Sequence, residues 1–246
     1  MLSERYQVTG DNFKSSGSSL IPGAIDLSEV AAILASSSVS VSTTLIHFLD
    51  LFGTMAFAVT GAFKAIEHRA DIVGIIILAT ITGVAGGVLR DITFGRLPPL
   101  AITDPLYLTI TIATAVVLFF LYKSARAHWN LFLKFDAIGL GVFTVIGATI
   151  AYDISGQDFL AMAFGGLITA IGGGILRDVF VKEIPIVFVK ELYASASFVG
   201  VLVLFGLIKL GIGIDVAAIP SIIAVTTLRL LAIKFNWNLP RARMSQ

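Results

Sequence analysis

The sequence predicts an all-α integral membrane protein with seven transmembrane helices. Of its 246 residues, 57% are hydrophobic and only 13% are charged, whereas a soluble domain carries about 25% charged residues. The mean hydropathy of +0.94 indicates the same class. Seven apolar segments lie along the chain, each near the roughly 20 residues that a helix needs to cross the hydrocarbon core. The first six also form two similar halves, so the predicted architecture is two inverted three-helix repeats followed by a seventh helix.

A polar N-terminal tail is predicted over residues 1–44. This stretch is rich in serine and carries scattered charges. A signal peptide needs an uninterrupted apolar run of about 7–15 residues near its start, and Glu4, Asp11 and Asp26 interrupt any such run. The tail is therefore expected to lie outside the membrane-spanning part, with a short surface helix around residues 27–34.

The apolar segments after the tail are predicted to be helices rather than the strands of a β-barrel. Barrel strands alternate polar and apolar residues in runs of about ten, but stretches such as Ile72 to Leu89 are continuously apolar. Tyrosine and tryptophan residues near the segment ends are typical of an interfacial belt, and among these are Tyr107 and Tyr193. The segments run over residues 46–66, 71–90, 104–122, 135–153, 158–178, 187–209 and 213–234.

The distribution of basic residues predicts the topology. With seven spans the two termini lie on opposite faces. The face of the N-terminus carries five Lys and Arg residues and the opposite face carries twelve. The positive-inside rule therefore places the N-terminus outside and the C-terminal tail, residues 237–246, in the cytoplasm. The net charge of +1 gives no case for nucleic-acid binding, and the absence of cysteine excludes disulfides and thiolate metal sites.

The two halves of the apolar region align over their length. In the first repeat, residues 45–123, Asp50 and Gly61 match Asp136 and Gly147 of the second repeat at a spacing of 86 residues. The aligned pairs at a spacing of 86 or 87 residues also include Arg90 with Arg177, Asp91 with Asp178, Pro98 with Pro185, and Tyr107 with Tyr193.

Each repeat contains three spans, so the second copy, residues 131–209, is predicted to insert upside down relative to the first. Inverted repeats are typical of channels and transporters whose site lies near the middle of the membrane. The seventh helix, residues 211–236, lies outside the repeat.

One motif occurs at equivalent places in both halves. The first copy reads Gly86-Gly87-Val88-Leu89-Arg90-Asp91 and the second reads Gly172-Gly173-Gly174-Ile175-Leu176-Arg177-Asp178. Ionisable residues at the inner end of an apolar segment are costly in lipid and suggest a function. The glycines are predicted to break the second and fifth helices, since freed backbone groups must face protein or water. The two broken helices, with these glycines, arginines and aspartates, are predicted to line one permeation pathway.

Each of these features has a structural alternative. The spacing Gly83-x-x-x-Gly87 also fits close helix packing through small residues, and Arg-Asp can mark the end of a span. Asp50 and Asp136 are candidate residues of the pore mouth, or helix-starting acids favoured by the helix dipole. The Lys64–Glu67 pair is predicted to be a solvated helix end.

Enzyme and metal chemistry have little support in the sequence. The three histidines, His47, His68 and His128, are isolated and show no ligand spacing. The triple glycine lacks the Gly-Lys-Ser/Thr ending of a phosphate loop, and no Ser/His/Asp constellation stands out. Neither a metal, a cofactor nor an enzymatic activity is therefore predicted.

The doubled Gly-Gly-x-Leu-Arg-Asp motif, in two three-span repeats with a seventh span, resembles the prokaryotic branch of the trimeric intracellular cation (TRIC) channel family. The resemblance covers residues 45–236. It implies a homotrimer with a pore in each subunit, potassium-permeable and weakly selective for cations, with kinked second and fifth helices. Its implied partners are monovalent cations and membrane lipid in a prokaryotic membrane. Animal members carry Lys-Glu-Val in the fifth-helix region and are linked to phosphoinositide, but this chain reads Ile-Leu-Arg-Asp there.

Three other functions stay open at this point. Related bacterial sequences are grouped as glycine transporters, so the main alternative is a secondary transporter of a small amino acid, in which the same broken helices bind a carboxylate. A non-conducting scaffold would show closely packed glycine faces without a hydrated cavity. A membrane enzyme would need a clustered nucleophile and base.

Overall fold

The computed structural model describes residues 27–125, 129–156, 158–189 and 192–237. Within these ranges the chain is helical and contains no strand, which confirms the all-α prediction. The chain divides into two units, Met1–Val41 and Ser42–Gln246, and the packing contacts described below lie within the second. The helices in the described ranges are α1 (Leu27–Glu67), α2 (Ile72–Thr93), α3 (Leu100–Thr103), α4 (Pro105–Ala125), α5 (Trp129–Ser155), α6 (Phe159–Phe180), α7 (Ile186–Val189), α8 (Tyr193–Lys209) and α9 (Ile214–Phe235).

Five of the described helical segments are long and apolar enough to cross a membrane. They are Thr44–Glu67, Ile72–Thr93, Leu131–Ser155, Phe159–Phe180 and Ile214–Phe235. Two further apolar helices, Pro105–Leu121 and Tyr193–Lys209, are shorter.

The boundaries differ from the sequence prediction at two places. The helix that holds the first span already begins at Leu27, inside the stretch predicted to be a polar tail. The predicted segment 187–209 is divided between α7 and α8. The predicted C-terminal tail lies outside the described residues from position 238 onward.

The helices α2 and α6 are built alike. Each has 22 residues and begins after an aspartate whose side chain accepts a backbone N–H of the first turn, at 2.8 Å for Asp71 and 3.1 Å for Asp158. Beyond each helix the chain turns through a left-handed residue, Gly95 with φ of 70° and Lys182 with φ of 60°. The two helices therefore start and end at equivalent positions of the repeat.

The prediction that the glycine runs break these helices is wrong. Both α2 and α6 are continuous through their glycines. The glycines instead allow the two helices to touch, because a Cβ on Gly86 would lie 2.1 Å from the carbonyl oxygen of Thr169 and one on Gly173 would lie 2.3 Å from that of Thr82. Thr82 precedes Gly86 in α2, but its partner Gly173 follows Thr169 in α6, so the two helices cross in antiparallel orientation. Each side of the crossing pairs a glycine of one helix with a threonine of the other.

Glycines also bring α1 and α5 close to their neighbours. A Cβ on Gly61 would lie 2.6 Å from the carbonyl oxygen of Leu78 in α2, and one on Gly147 would lie 2.2 Å from that of Gly165 in α6. Between α1 and α5, the rings of Phe57 and Phe143 pack edge to face with centroids 5.1 Å apart. The same packing thus recurs in both halves and brings them together around α2 and α6.

Candidate functional site

A buried ion-pair cluster surrounds Arg90 near the end of α2. The Arg90 side chain is 1% exposed, and its Nε donates to Asp91 Oδ1 at 2.9 Å. Its Nη2 donates to Asp50 Oδ2 of α1 at 3.3 Å. The hydroxyl of Tyr107, in α4, donates to the same Asp50 oxygen at 2.8 Å. We call Asp50, Arg90, Asp91 and Tyr107 the first arginine cluster.

A second arginine cluster, consisting of Asp136, Arg177, Asp178 and Tyr193, surrounds the end of α6. The Arg177 Nε donates to Asp178 Oδ1 at 2.8 Å, and its Nη1 donates to Asp136 Oδ1 of α5 at 3.0 Å. The same Nη1 donates to Thr60 Oγ1 of α1 at 2.9 Å, so this cluster also contacts the first repeat. Arg177 is fully buried.

The two clusters have the same construction. In each, the first helix of the repeat supplies an aspartate, the second supplies Arg-Asp and the third supplies a tyrosine. The far carboxylate oxygen of Asp91 accepts the backbone N–H of Leu100 at 3.0 Å, and that of Asp178 accepts the N–H of Ile186 at 2.9 Å. Each motif aspartate therefore binds its arginine and also anchors the short helix that follows.

Because the clusters are buried, the stability of each depends on keeping its charged side chains paired. Several kcal/mol are needed to remove an ion from water, and this cost is offset only when the ion is paired with good geometry and hydrogen bonds. The guanidinium of Arg90 has two carboxylate partners, Asp50 and Asp91, and that of Arg177 has Asp136 and Asp178. Removing Arg177 would leave the buried carboxylates of Asp136 and Asp178 without this counter-charge.

The structure brings together the predicted site residues of each half. Asp50 and Asp136 are buried in the interiors of α1 and α5, which begin at Leu27 and Trp129, so the helix-start interpretation of these acids is wrong. Both instead pair with the arginine of their own repeat. Their assignment to a pore mouth stays a prediction.

The glycines of the motif divide into two roles. Gly86, Gly172 and Gly173 lie at the crossing of α2 and α6, where a Cβ on Gly172 would lie 2.8 Å from Leu89 Cδ1. A Cβ on Gly87 would lie 3.6 Å from Nη2 of Arg90, and one on Gly174 would lie 3.8 Å from Nη2 of Arg177. These last two glycines thus leave room for the guanidinium groups.

The roles of two tyrosines were not predicted from the sequence. Tyr107 and Tyr193 were predicted to lie in an interfacial belt, but their exposed fractions are only 2% and 3%. The prediction is wrong because the hydroxyl of Tyr107 binds a buried carboxylate instead of water. Their alignment at equivalent positions of the repeat, beside the aligned Arg-Asp pairs, was the signal that could have found them.

The second cluster receives an additional arginine from outside the repeat. Arg229 of α9 is fully buried, and its guanidinium carbon lies 4.9 Å from the centroid of the Tyr193 ring. Within the described part of the chain, Nη2 of Arg177 has no hydrogen-bond partner, whereas Nη2 of Arg90 binds Asp50.

The interpretation of Lys64 and Glu67 as a solvated helix end is also wrong. Lys64 is 4% exposed. Its Nζ lies 3.1 Å from Glu67 Oε2 and 2.7 Å from Glu183 Oε2, in the turn after α6. His68, Glu67 and Glu183 place potential metal-ligand atoms within 4.8 Å of one another, but the ammonium group of Lys64 binds both carboxylates.

Tyr107 and Tyr193 differ in their hydrogen bonding, and this difference predicts unequal losses of folding stability on substitution by phenylalanine. Tyr107→Phe removes a buried hydrogen bond to a carboxylate, which is worth about 2 kcal/mol. The hydroxyl of Tyr193 interacts with Asp136 but lies outside standard hydrogen-bond geometry among the described residues, so Tyr193→Phe should destabilise less. Thermal unfolding of both purified variants in detergent checks this order. Equal losses would contradict the difference between the clusters.

The comparisons with known proteins agree with this repeated architecture. A family model described as "Glycine transporter" matches the chain twice, over residues 47–123 and 133–209. A UPF0126 membrane protein of Vibrio cholerae is 34% identical over 92% of this chain and 95% of its own length. The UPF0126 inner membrane protein YadS of Escherichia coli K12 is 32% identical over 80% of this chain and 95% of its own length.

Solved structures give the same relationship. A TRIC cation channel studied for its conductance has a TM-score of 0.75 and 32% identity, covering 81% of this chain and 98% of that one. The TRIC trimeric intracellular cation channel orthologue from Rhodobacter sphaeroides has the same TM-score and identity, covering 78% and 99%. These structural relatives are channels, not enzymes. The chain therefore belongs to the bacterial membrane-protein family whose sequence model is described as "Glycine transporter". Among solved structures, it belongs with the prokaryotic TRIC channels.

Proposed function

We propose that the protein is a potassium-permeable channel for monovalent cations, with a pore in each protomer of a homotrimer. The proposal rests on the pair of equivalent arginine clusters, buried near the ends of two helices that cross at glycines. The similarity to TRIC channels supports cation conduction. In the proposed membrane arrangement, α3–α4 and α7–α8 complete the third and sixth spans, which gives seven spans in two inverted repeats plus α9.

The proposed pathway runs along α2 and α6, past both clusters. At the crossing, the glycines bring the backbone of each helix against the other, so we take this conformation to be closed. Conduction then requires α2 and α6 to separate at the crossing.

The charges of the two clusters account for a weak cation preference. Four buried aspartates, at positions 50, 91, 136 and 178, accompany three buried arginines, at positions 90, 177 and 229. Rings or clusters of acidic side chains favour cations in channels. Since the arginines offset most of this negative charge, we expect discrimination between cations and anions to be modest.

The alternative function is secondary transport of a small amino acid such as glycine. One observation favours it: Nη2 of Arg177 has no hydrogen-bond partner among the described residues, and a guanidinium binds carboxylates. Against it, α2 and α6 have no unwound segment, whereas transporters of this type bind carboxylates at the ends of discontinuous helices.

A liposome experiment distinguishes the two functions. Purified protein is reconstituted into potassium-loaded liposomes, and potassium efflux and the uptake of radiolabelled glycine are measured in the same preparation. The channel proposal predicts potassium efflux that exceeds that of protein-free liposomes, together with glycine uptake at the protein-free level. Saturable glycine uptake without potassium efflux would contradict it.

The proposed location is a prokaryotic cell membrane, with lipid around the trimer. The N-terminus is placed outside and the C-terminus in the cytoplasm, because Lys and Arg residues predominate on the face of the C-terminus. No metal or organic cofactor is proposed for conduction.

A further inference from the structure

An ion pair connects the two repeats at one end of the molecule. Lys64 lies in the last turn of α1, and its Nζ is 2.7 Å from Oε2 of Glu183, 119 residues later in the chain. Lys64 is 4% exposed, whereas the side chain of Glu183 is 37% exposed. His68 also approaches Glu183, with 3.3 Å between Nε2 and Oε1. Glu183 thus makes two contacts to the first repeat.

The symmetry between the two repeats does not explain the ion pair between Lys64 and Glu183. Glu183 occupies the position equivalent to Arg96, since the backbone N–H of Glu183 donates to the carbonyl oxygen of Asp178 at 2.9 Å and that of Arg96 donates to the carbonyl oxygen of Asp91 at 2.8 Å. The side chain of Arg96, however, contacts Asp91 of its own repeat at 3.6 Å. The two equivalent turns therefore carry opposite charges with different partners.

The same two segments also hold the second arginine cluster. Lys64 lies four residues, about one helical turn, after Thr60, whose hydroxyl accepts from Arg177 Nη1. Glu183 lies five residues after Asp178, which binds the Nε of Arg177. A change in the contact between Lys64 and Glu183 would therefore change the spacing of α1 and α6 beside Arg177.

We propose that the Lys64–Glu183 ion pair is a latch that holds the end of α6 against α1 and keeps the pathway closed. The latch rests on the proposed channel function. Breaking the ion pair releases the turn after α6 and allows α6 to move away from α2. Glu67 binds Lys64 within the same helix and does not join the repeats. Its negative charge therefore lies beside Lys64 without holding α6 against α1.

Glu183→Gln and Glu67→Gln form a matched pair of variants for single-channel recording. Each removes one negative charge beside Lys64, but only Glu183→Gln removes an ion pair between the repeats. We expect Glu183→Gln to raise the open probability about tenfold and Glu67→Gln to leave it near that of the unsubstituted protein. Equal changes in both variants would show that local charge alone matters and would overturn the latch.

A second measurement does not depend on conduction. The chain contains no cysteine, so Ala65→Cys introduces a single thiol at a position that is 2% exposed and belongs to a cluster packed against Val181 of the turn. Adding Glu183→Gln should speed labelling of this thiol by a maleimide about tenfold, and adding Glu67→Gln should not. Unchanged labelling in both backgrounds would overturn the latch even if the protein conducts no ions.

The charge-swapped double variant completes the test. Lys64→Glu with Glu183→Lys re-forms an ion pair of the opposite polarity, so we expect it to label more slowly than either single substitution. Labelling as fast as in the single variants would contradict a role for the direct contact.

Discussion

Arg177→Met is expected to lose about 3–5 kcal/mol of folding stability, because methionine cannot neutralise Asp136 or Asp178 and removing one partner of a buried ion pair leaves an uncompensated charge at about this cost. Both aspartates are within hydrogen-bonding distance of the arginine and almost fully buried. This loss should exceed that of either tyrosine substitution, since those variants keep every charge of their clusters. Thermal unfolding in detergent, followed by circular dichroism, measures the loss.

The matched control for Arg177→Met is Arg96→Met. The side chain of Arg96 is 41% exposed and lies 3.6 Å from a carboxylate of Asp91, and exposed ion pairs contribute only about 0–1 kcal/mol. Adding Asp136→Asn to Arg177→Met should recover part of the lost stability, because it removes one of the buried charges. An Arg177→Met protein as stable as the Arg96→Met protein would show that the second cluster does not stabilise the fold.

Gly173→Ala is expected to destabilise the protein by about 1–3 kcal/mol, the range for overpacking a well-packed interior. Its Cβ would lie 2.3 Å from the carbonyl oxygen of Thr82, so the backbone of α2 would have to move. Gly86→Ala should have a similar effect, since its Cβ would meet Thr169 at 2.1 Å on the other side of the crossing. Denaturation in detergent of both variants tests the equivalence of the two sides.

Gly206→Ala provides the control for these two substitutions. Gly206 lies within α8, and a Cβ there would meet no atom within 4 Å. Alanine is favoured over glycine in a helix by roughly 0.5–1 kcal/mol, so this variant should be slightly more stable than the unsubstituted protein. If Gly173→Ala were also neutral or stabilising, α2 and α6 could not cross in backbone contact.

The sequence was sufficient to predict the helical class and the alignment of the two halves, including the repeated Arg-Asp pairs. These features depend on local composition and on residue spacing, which a single sequence contains. The distant partners of the arginines were not predicted, because Asp50 and Asp136 precede Arg90 and Arg177 by about 40 residues and their proximity depends on helix packing.

The errors share a physical cause. A glycine run in an apolar segment fits both a broken helix and a close helix crossing, and only the position of the facing helix decides between them. Tyr107 and Lys64 have amphipathic side chains that are common at membrane interfaces, but here each has a buried or partly buried ionic partner. A sequence gives no signal for a partner that comes from another helix, as Glu183 does for Lys64.

Whether the two repeats enclose a cation pathway can be measured by single-channel recording in planar bilayers under a potassium chloride gradient. We expect discrete current steps with a reversal potential displaced from zero toward the potassium equilibrium potential. The displacement should be smaller than for an ideally selective pore, because buried arginines offset most of the acidic charge. A reversal potential displaced toward the chloride equilibrium potential, or no current from protein that is shown to be folded and inserted, would contradict a cation pathway between the repeats.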